Sequence, residues 1–132
     1  MEKLKNRIDT FARALSTFED ILVESETLIV RYASIQRFKY TFEAIWKGLK
    51  NYLYEIEGVA CNLPKSCFRG AMESGLISST ETETCLKMTD DQNLTSHTYI
   101  EEIAETIYSK LPLYSTAMNT ILKALNRGVA NK

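Results

Sequence analysis

The stretch IQRFKYTFEAIWKGLKNYLYEI, residues 35–56, decides how this chain folds. Its apolar positions are Ile35, Phe38, Phe42, Ile45, Leu49, Tyr52 and Ile56, alternately three and four residues apart. That spacing draws one stripe down one face of an α-helix. A half-buried strand would alternate at every second position, and this stretch does not. Gly58 follows, and glycine takes the left-handed conformation that closes a helix.

The same periodicity extends in both directions. Upstream it runs through Leu4, Ile8, Phe11, Leu15, Phe18 and Leu22. Downstream it runs through Ile100, Ile103, Ile107, Leu111, Tyr114, Met118, Ile121 and Leu125. Pro112 lies inside that last stripe and is expected to kink it by removing one backbone hydrogen bond. Between the long segments, a short helix is expected from Pro64 to about Ser74, before Gly75. A fourth is expected to open on a capping box formed by Thr80 and Glu83. Short connections between such helices predict an all-α fold, an up-and-down antiparallel helical bundle of about five helices. Residues 1–132 read as one domain. Tyr52 with Leu53, and Ile121 with Leu122, widen the stripes enough to bury a second neighbour, so a two-fold homodimer is expected.

Composition agrees with an ordinary globule. The 132 residues include 45% hydrophobic and 25% charged side chains. Area scaling predicts a folded surface of about 7,100 Å², with roughly two-thirds of the extended-chain surface buried. Five glycines and two prolines exclude collagen, flexible linkers and turn-rich sandwiches. A net charge of −1 excludes a globally basic nucleic-acid binder but not a local patch. Residues 31–75 hold seven basic and four acidic side chains, whereas residues 76–108 hold one and seven. The N-terminus lacks the apolar stretch of a signal peptide, and no apolar run approaches the ~18 residues of a membrane span. No membrane association and a cytoplasmic location are therefore expected. Cys61, Cys67 and Cys85 sit at no zinc spacing and read as free thiols in a reducing compartment.

Nucleotide chemistry needs a phosphate cradle and usually a metal. The chain has no G-x-x-x-x-G-K-[ST], no G-x-G-x-x-G, and no Gly-Ser turn followed by spaced aspartates. Asp90 and Asp91 are adjacent, so on a helix they point about 100° apart and make poor joint ligands. No metal site is expected on this chain. A Cys85–His97 nucleophile pair is a weaker reading than a buried thiol.

The remaining polar candidates suit binding. Glu43 and Lys47 form an i,i+4 pair in the favourable order, either a surface pair or part of a basic edge with Lys39 and Lys50. Lys65 and Arg69 are i,i+4 with like charge; they are either two solvated cations or a pair relieved by a nearby anion. The free N–H groups of the helix beginning at Pro64 favour a phosphate there. Trp46 reads as core rather than as a stacking platform. His97 is the one side chain with an unperturbed pKa near neutrality; beside Thr95 and Ser96 it either caps the last helix or serves a site. Asn93, next to Gln92, either contacts a base edge or phosphate or ends the fourth helix. Tyr99 is core, a hydrogen-bond donor or a modification target.

Residues 35–53, with DQNLTSHTY at 91–99, PKSCFRGA at 64–71 and GLI at 75–77, resemble the nucleotidyltransferase substrate-binding subunits of the HEPN superfamily. These are small helical prokaryotic proteins encoded beside a minimal nucleotidyltransferase, and the resemblance covers nearly the whole chain. It implies an all-helical homodimer that binds no cofactor alone, with metal and nucleoside triphosphate on the nucleotidyltransferase partner. Nucleotide or RNA is the implied ligand. The expected substrate-binding set is Lys47, Lys65, Arg69, Gln92, Asn93 and His97. Related proteins are RNA-cleaving toxins whose motif is an arginine, four to six residues, then a histidine; in one branch a tyrosine two residues further on is adenylylated. His97 and Tyr99 match that pattern, but Gln92 stands at the arginine position. Loss of a guanidinium that stabilises a charged phosphorane costs on the order of 10²–10³ in rate. Binding without catalysis is therefore the expected function. The alternative is a metal-independent RNase toxin with His97 as general base and Gln92 beside it.

Overall fold

The computed structural model describes residues 1–131. Five α-helices follow one another: α1 (Glu2–Leu22), α2 (Leu28–Glu57), α3 (Pro64–Glu73), α4 (Ser79–Leu94) and α5 (Glu101–Ala130), with a 3₁₀ turn at Thr95–His97 before α5. No strand occurs among the described residues. The long helices α1, α2 and α5 pack on one another, and the short α3–α4 hairpin closes the bundle against α2 and α5. The accessible surface is 7178 Å², in line with the scaling expectation.

The three stripes form the core. Leu4, Ile8, Phe11, Leu15 and Phe18 of α1 are buried, as are Ile35, Phe38, Phe42, Ile45, Leu49 and Tyr52 of α2. On α5 the buried line runs from Ile107 through Leu111, Tyr114, Met118 and Ile121 to Leu125. Ile100, expected at its head, lies before the first turn and is 38% exposed. Phe38 is the hub. Its ring stacks on Tyr114 of α5 at 5.6 Å and meets Phe18 of α1 at 6.1 Å and Phe42 at 6.4 Å; Phe42 in turn meets Phe68 of α3. The doubled apolar positions are absorbed within the chain: Tyr52, Leu53 and Ile121 are buried in this core and Leu122 is half-buried against it.

Local chemistry sets the helix ends. Thr27 Oγ1 accepts the Val30 N–H at 3.1 Å, so α2 begins two turns before its stripe. Gly58, at φ 68°, ends α2, and the Val59 N–H donates back to the Leu53 carbonyl. The capping box of α4 is Ser78 with Glu81, not Thr80 with Glu83: the Ser78 N–H reaches Glu81 Oε1 at 2.7 Å and the Glu81 N–H reaches Ser78 Oγ at 3.1 Å. Both pairs fit the motif, and the helix so capped buries Thr82, Cys85, Met88 and Thr89. Helix α5 passes through Pro112 without ending, with the proline on the exposed face. Gly128 of α5 lies so close to Tyr52 of α2 that a Cβ there would collide with the phenol ring and its oxygen.

The reading of three free thiols is corrected. Cys61 and Cys67 form a disulfide with Cα atoms 5.3 Å apart, while Cys85 stays free and buried. Pro64 starts α3 so promptly that Cys67, near the end of its first turn, faces back onto the loop carrying Cys61. The bond closes a short loop, with a sequence separation of 6, and the chain-entropy model values such a loop at about 2 kcal/mol. Cys61→Ser/Cys67→Ser is therefore expected to lower Tm by roughly 5–10 °C. Alkylation of the unfolded, unreduced protein should modify Cys85 alone; modification of all three cysteines would show that the bond is absent.

Candidate functional site

The sequence-derived candidates fall into three places. The first is the junction of α4 and α5. Gln92 is half-buried at the end of α4, and Asn93 and His97 are exposed. Thr95 Oγ1 donates to the Gln92 carbonyl at 2.6 Å, Ser96 Oγ to Asn93 at 3.3 Å and Thr98 Oγ1 to Thr95 at 3.1 Å. These hydroxyls knit the 3₁₀ turn, so the His97 side chain is not needed as a cap. Among the described residues its one side-chain hydrogen-bond partner is the Tyr99 hydroxyl, 3.5 Å from Nδ1, with the two rings edge to face at 6.0 Å. Tyr99 is 77% exposed, which removes the core reading.

The second place is the α3–α4 hairpin. Lys65 Nζ lies 2.6 Å from Asp90 Oδ1 and ties the two helices together. The anion that relieves the Lys65–Arg69 repulsion is thus Asp90, while Arg69 stays exposed. The adjacent Asp91 points elsewhere, as helical geometry requires. It is 6% exposed, accepts a hydrogen bond from the Tyr114 hydroxyl and lies 3.2 Å from Lys110 Nζ. Burial, the Asp91 hydrogen bond and the negative charge nearby together push the Tyr114 phenol well above its ordinary pKa. Sequence reading missed Asp91 as a buried anchor. The available sign was its place on the α4 face that also carries Met88 and Thr95. No three His, Cys, Asp or Glu side chains converge to hold a metal among the described residues.

The third place holds Lys47. Its Nζ lies 3.5 Å from Glu43 Oε2, and Glu43 Oε2 also accepts from Trp46 Nε1 at 3.1 Å, with both side chains of the ion pair about half exposed. Trp46 is half-buried against the core. Lys47 lines a cavity with residues of α1, α2 and the loop after α2; Lys65 and Arg69 are not among the lining residues. Lys3 and Arg7, which also line the cavity, were missed because α1 and α2 meet only in the tertiary fold, whereas Asn51 and Tyr54 follow Lys47 by four and seven residues on one helix face, a signal the sequence did carry.

A family model described as nucleotidyltransferase substrate binding protein like matches residues 6–127. A crystal structure of a Thermus thermophilus protein is 42% identical, with 87% of this chain and 98% of that one covered and a TM-score of 0.84. HI0074 of Haemophilus influenzae, described as showing the fold of a substrate binding domain of a nucleotidyltransferase, shares the fold at a TM-score of 0.74. It is 19% identical, with 90% of this chain and 98% of that one covered. No curated protein matches the chain. No described helix is long and apolar enough to cross a membrane.

Proposed function

This chain belongs to the nucleotidyltransferase substrate binding protein-like family, and on that premise we propose that it is the noncatalytic, substrate-holding subunit of a two-component nucleotidyltransferase. A separately encoded minimal nucleotidyltransferase carries the metal, the nucleoside triphosphate and the transfer step. As the family resemblance implies, this chain works as a cytoplasmic homodimer and presents the acceptor or nucleotide to that partner.

The observation that supports binding over catalysis is the state of His97. It is exposed, its only side-chain hydrogen-bond partner among the described residues is Tyr99, and Gln92 occupies the position where an arginine would supply charge. An acid–base group gains efficiency from a shielded site with a preorganised charged partner. This histidine has neither. The two carboxylates on the preceding helix, Asp90 and Asp91, are committed to Lys65 and to Tyr114 and Lys110, where they brace helices.

Labelled single-stranded RNA incubated with the protein, without metal, is expected to stay intact at the level of a His97→Ala control. Light scattering is expected to give about twice the 15.1 kDa of one chain. Labelled nucleotidyl transfer is expected only when the nucleotidyltransferase subunit is added. Cleavage that is lost in His97→Ala would overturn the reading in favour of the RNase, with Tyr99 as the exposed phenol open to modification. A particle with the 15.1 kDa mass of one chain would remove the homodimer.

A further inference from the structure

The cavity at Lys47 has the chemistry of an anion site. It measures about 330 Å³, within the roughly 300–1,000 Å³ of small-molecule sites. Its lining brings together four side-chain cations: Lys3 and Arg7 from α1, Lys47 and Lys50 from α2. Glu43 pairs with Lys47, and the nearby Glu55 is engaged by the Met1 ammonium at 3.4 Å. Lys3, Arg7 and Lys50 have no carboxylate partner among the described residues. Gathering cations at one concavity raises the local potential and draws in counter-charge.

The geometry is also ordered. Arg7 Nε donates to Asn51 Oδ1 at 3.2 Å, which fixes the guanidinium plane and leaves its terminal nitrogens for an oxyanion. One wall is the loop bearing Ala60, Cys61 and Asn62, and the Cys61–Cys67 bond anchors that wall to α3. Tyr54, 68% exposed, sets an aromatic face at the rim. Along α2, Lys50 stands roughly 28 Å of helix rise from Arg31, which meets Glu101 at the start of α5. The cavity is therefore remote from the α4–α5 junction that carries His97.

We infer that this cavity binds a compact oligophosphate, either free or as the phosphate tail of a nucleotide. A single carboxylate would neutralise one of the cations and leave the others. Linked phosphates present several charged oxygens in different directions and match cations arriving from two helices. An extended nucleic-acid strand would need an open groove rather than a cavity of this size.

Calorimetry of the intact protein with pyrophosphate and with ATP, both without metal, tests the inference. Lys47→Ala/Lys50→Ala is expected to weaken both ligands about a hundredfold, tenfold for each lost ionic contact. Both lysines are exposed, so circular dichroism should be unchanged. Affinity should also fall as salt is raised from about 50 to 200 mM. Tyr54→Ala assigns the source: loss of ATP affinity alone indicates a nucleoside-borne phosphate, and no loss with either indicates the free oligophosphate. Absence of binding to both ligands, or unchanged affinity in the double lysine variant, would overturn the inference. Neither result bears on the subunit's dependence on a nucleotidyltransferase partner, which the transfer assay reads separately.

Discussion

Phe38→Ala is expected to destabilise the fold by about 3–5 kcal/mol, the range for removing a buried phenylalanine ring from a packed core. Phe38 has no exposed surface, and its ring contacts Phe18 of α1, Phe42 of α2 and Tyr114 of α5. Truncation leaves a cavity that three helices line together, so no single side-chain shift can fill it. A chain of this length has about 7–20 kcal/mol of stability in all, so the loss is a large share. It also reaches the hairpin. The Tyr114 ring that stacks on Phe38 carries the hydroxyl donated to Asp91. Urea unfolding should show the loss together with weaker near-ultraviolet dichroism. A cost under about 1 kcal/mol would show that Phe38 is not the hub of the core.

A second large effect should appear in alkali. Burial, with the Glu81 charge as a smaller contribution, pushes the Cys85 thiol up from 9.0 to about 12. In the unfolded chain the thiol loses its proton near pH 9, while the folded protein keeps it. The native state then binds more protons, so stability is full below about pH 9 and falls as pH rises towards the folded pKa. The slope is about 1.4 kcal/mol per pH unit, which reaches roughly 4 kcal/mol by about pH 12. Cys85→Ala removes this dependence. The comparison belongs in a Cys61→Ser/Cys67→Ser background, where an exposed thiolate finds no disulfide to attack. Between about pH 9 and 11 the cysteine form should lose about 2 kcal/mol more than the alanine form. Equal losses would mean that the thiol is already solvated in the native state. Tyr114, also held above its ordinary value, adds to the alkaline loss in both proteins and cancels in the difference.

The candidate site was only partly legible in the sequence. Lys47 was found because Glu43 and Lys47 are helix neighbours, an interaction that spacing alone predicts. Its grouping with Lys65 and Arg69 rested on charge rather than position, and Lys65 turned instead to Asp90 on α4. The divergence of Asp90 and Asp91 followed from the helical repeat, but not the partners that each would meet. Lys3, Arg7 and Asn51 could not be joined in advance, because the contact between Arg7 and Asn51 spans 44 residues of chain.

The sequence by itself determined the helices, the faces they bury and the end of α2 at Gly58, because periodicity and capping act within a few residues. It also determined the absence of nucleotide-binding motifs, which is a matter of composition. Tertiary structure decided the rest. It chose Ser78 over Thr80 as the cap of α4, although both pairs offer the motif. It used the widened stripes at Tyr52 and Ile121 within one chain, since α1, α2 and α5 close on one another. It brought Cys61 to Cys67, and Lys3 and Arg7 to Lys47 and Lys50, since such distances depend on how helices dock. Helix docking is set by the whole apolar surface at once, and no local pattern carries that information.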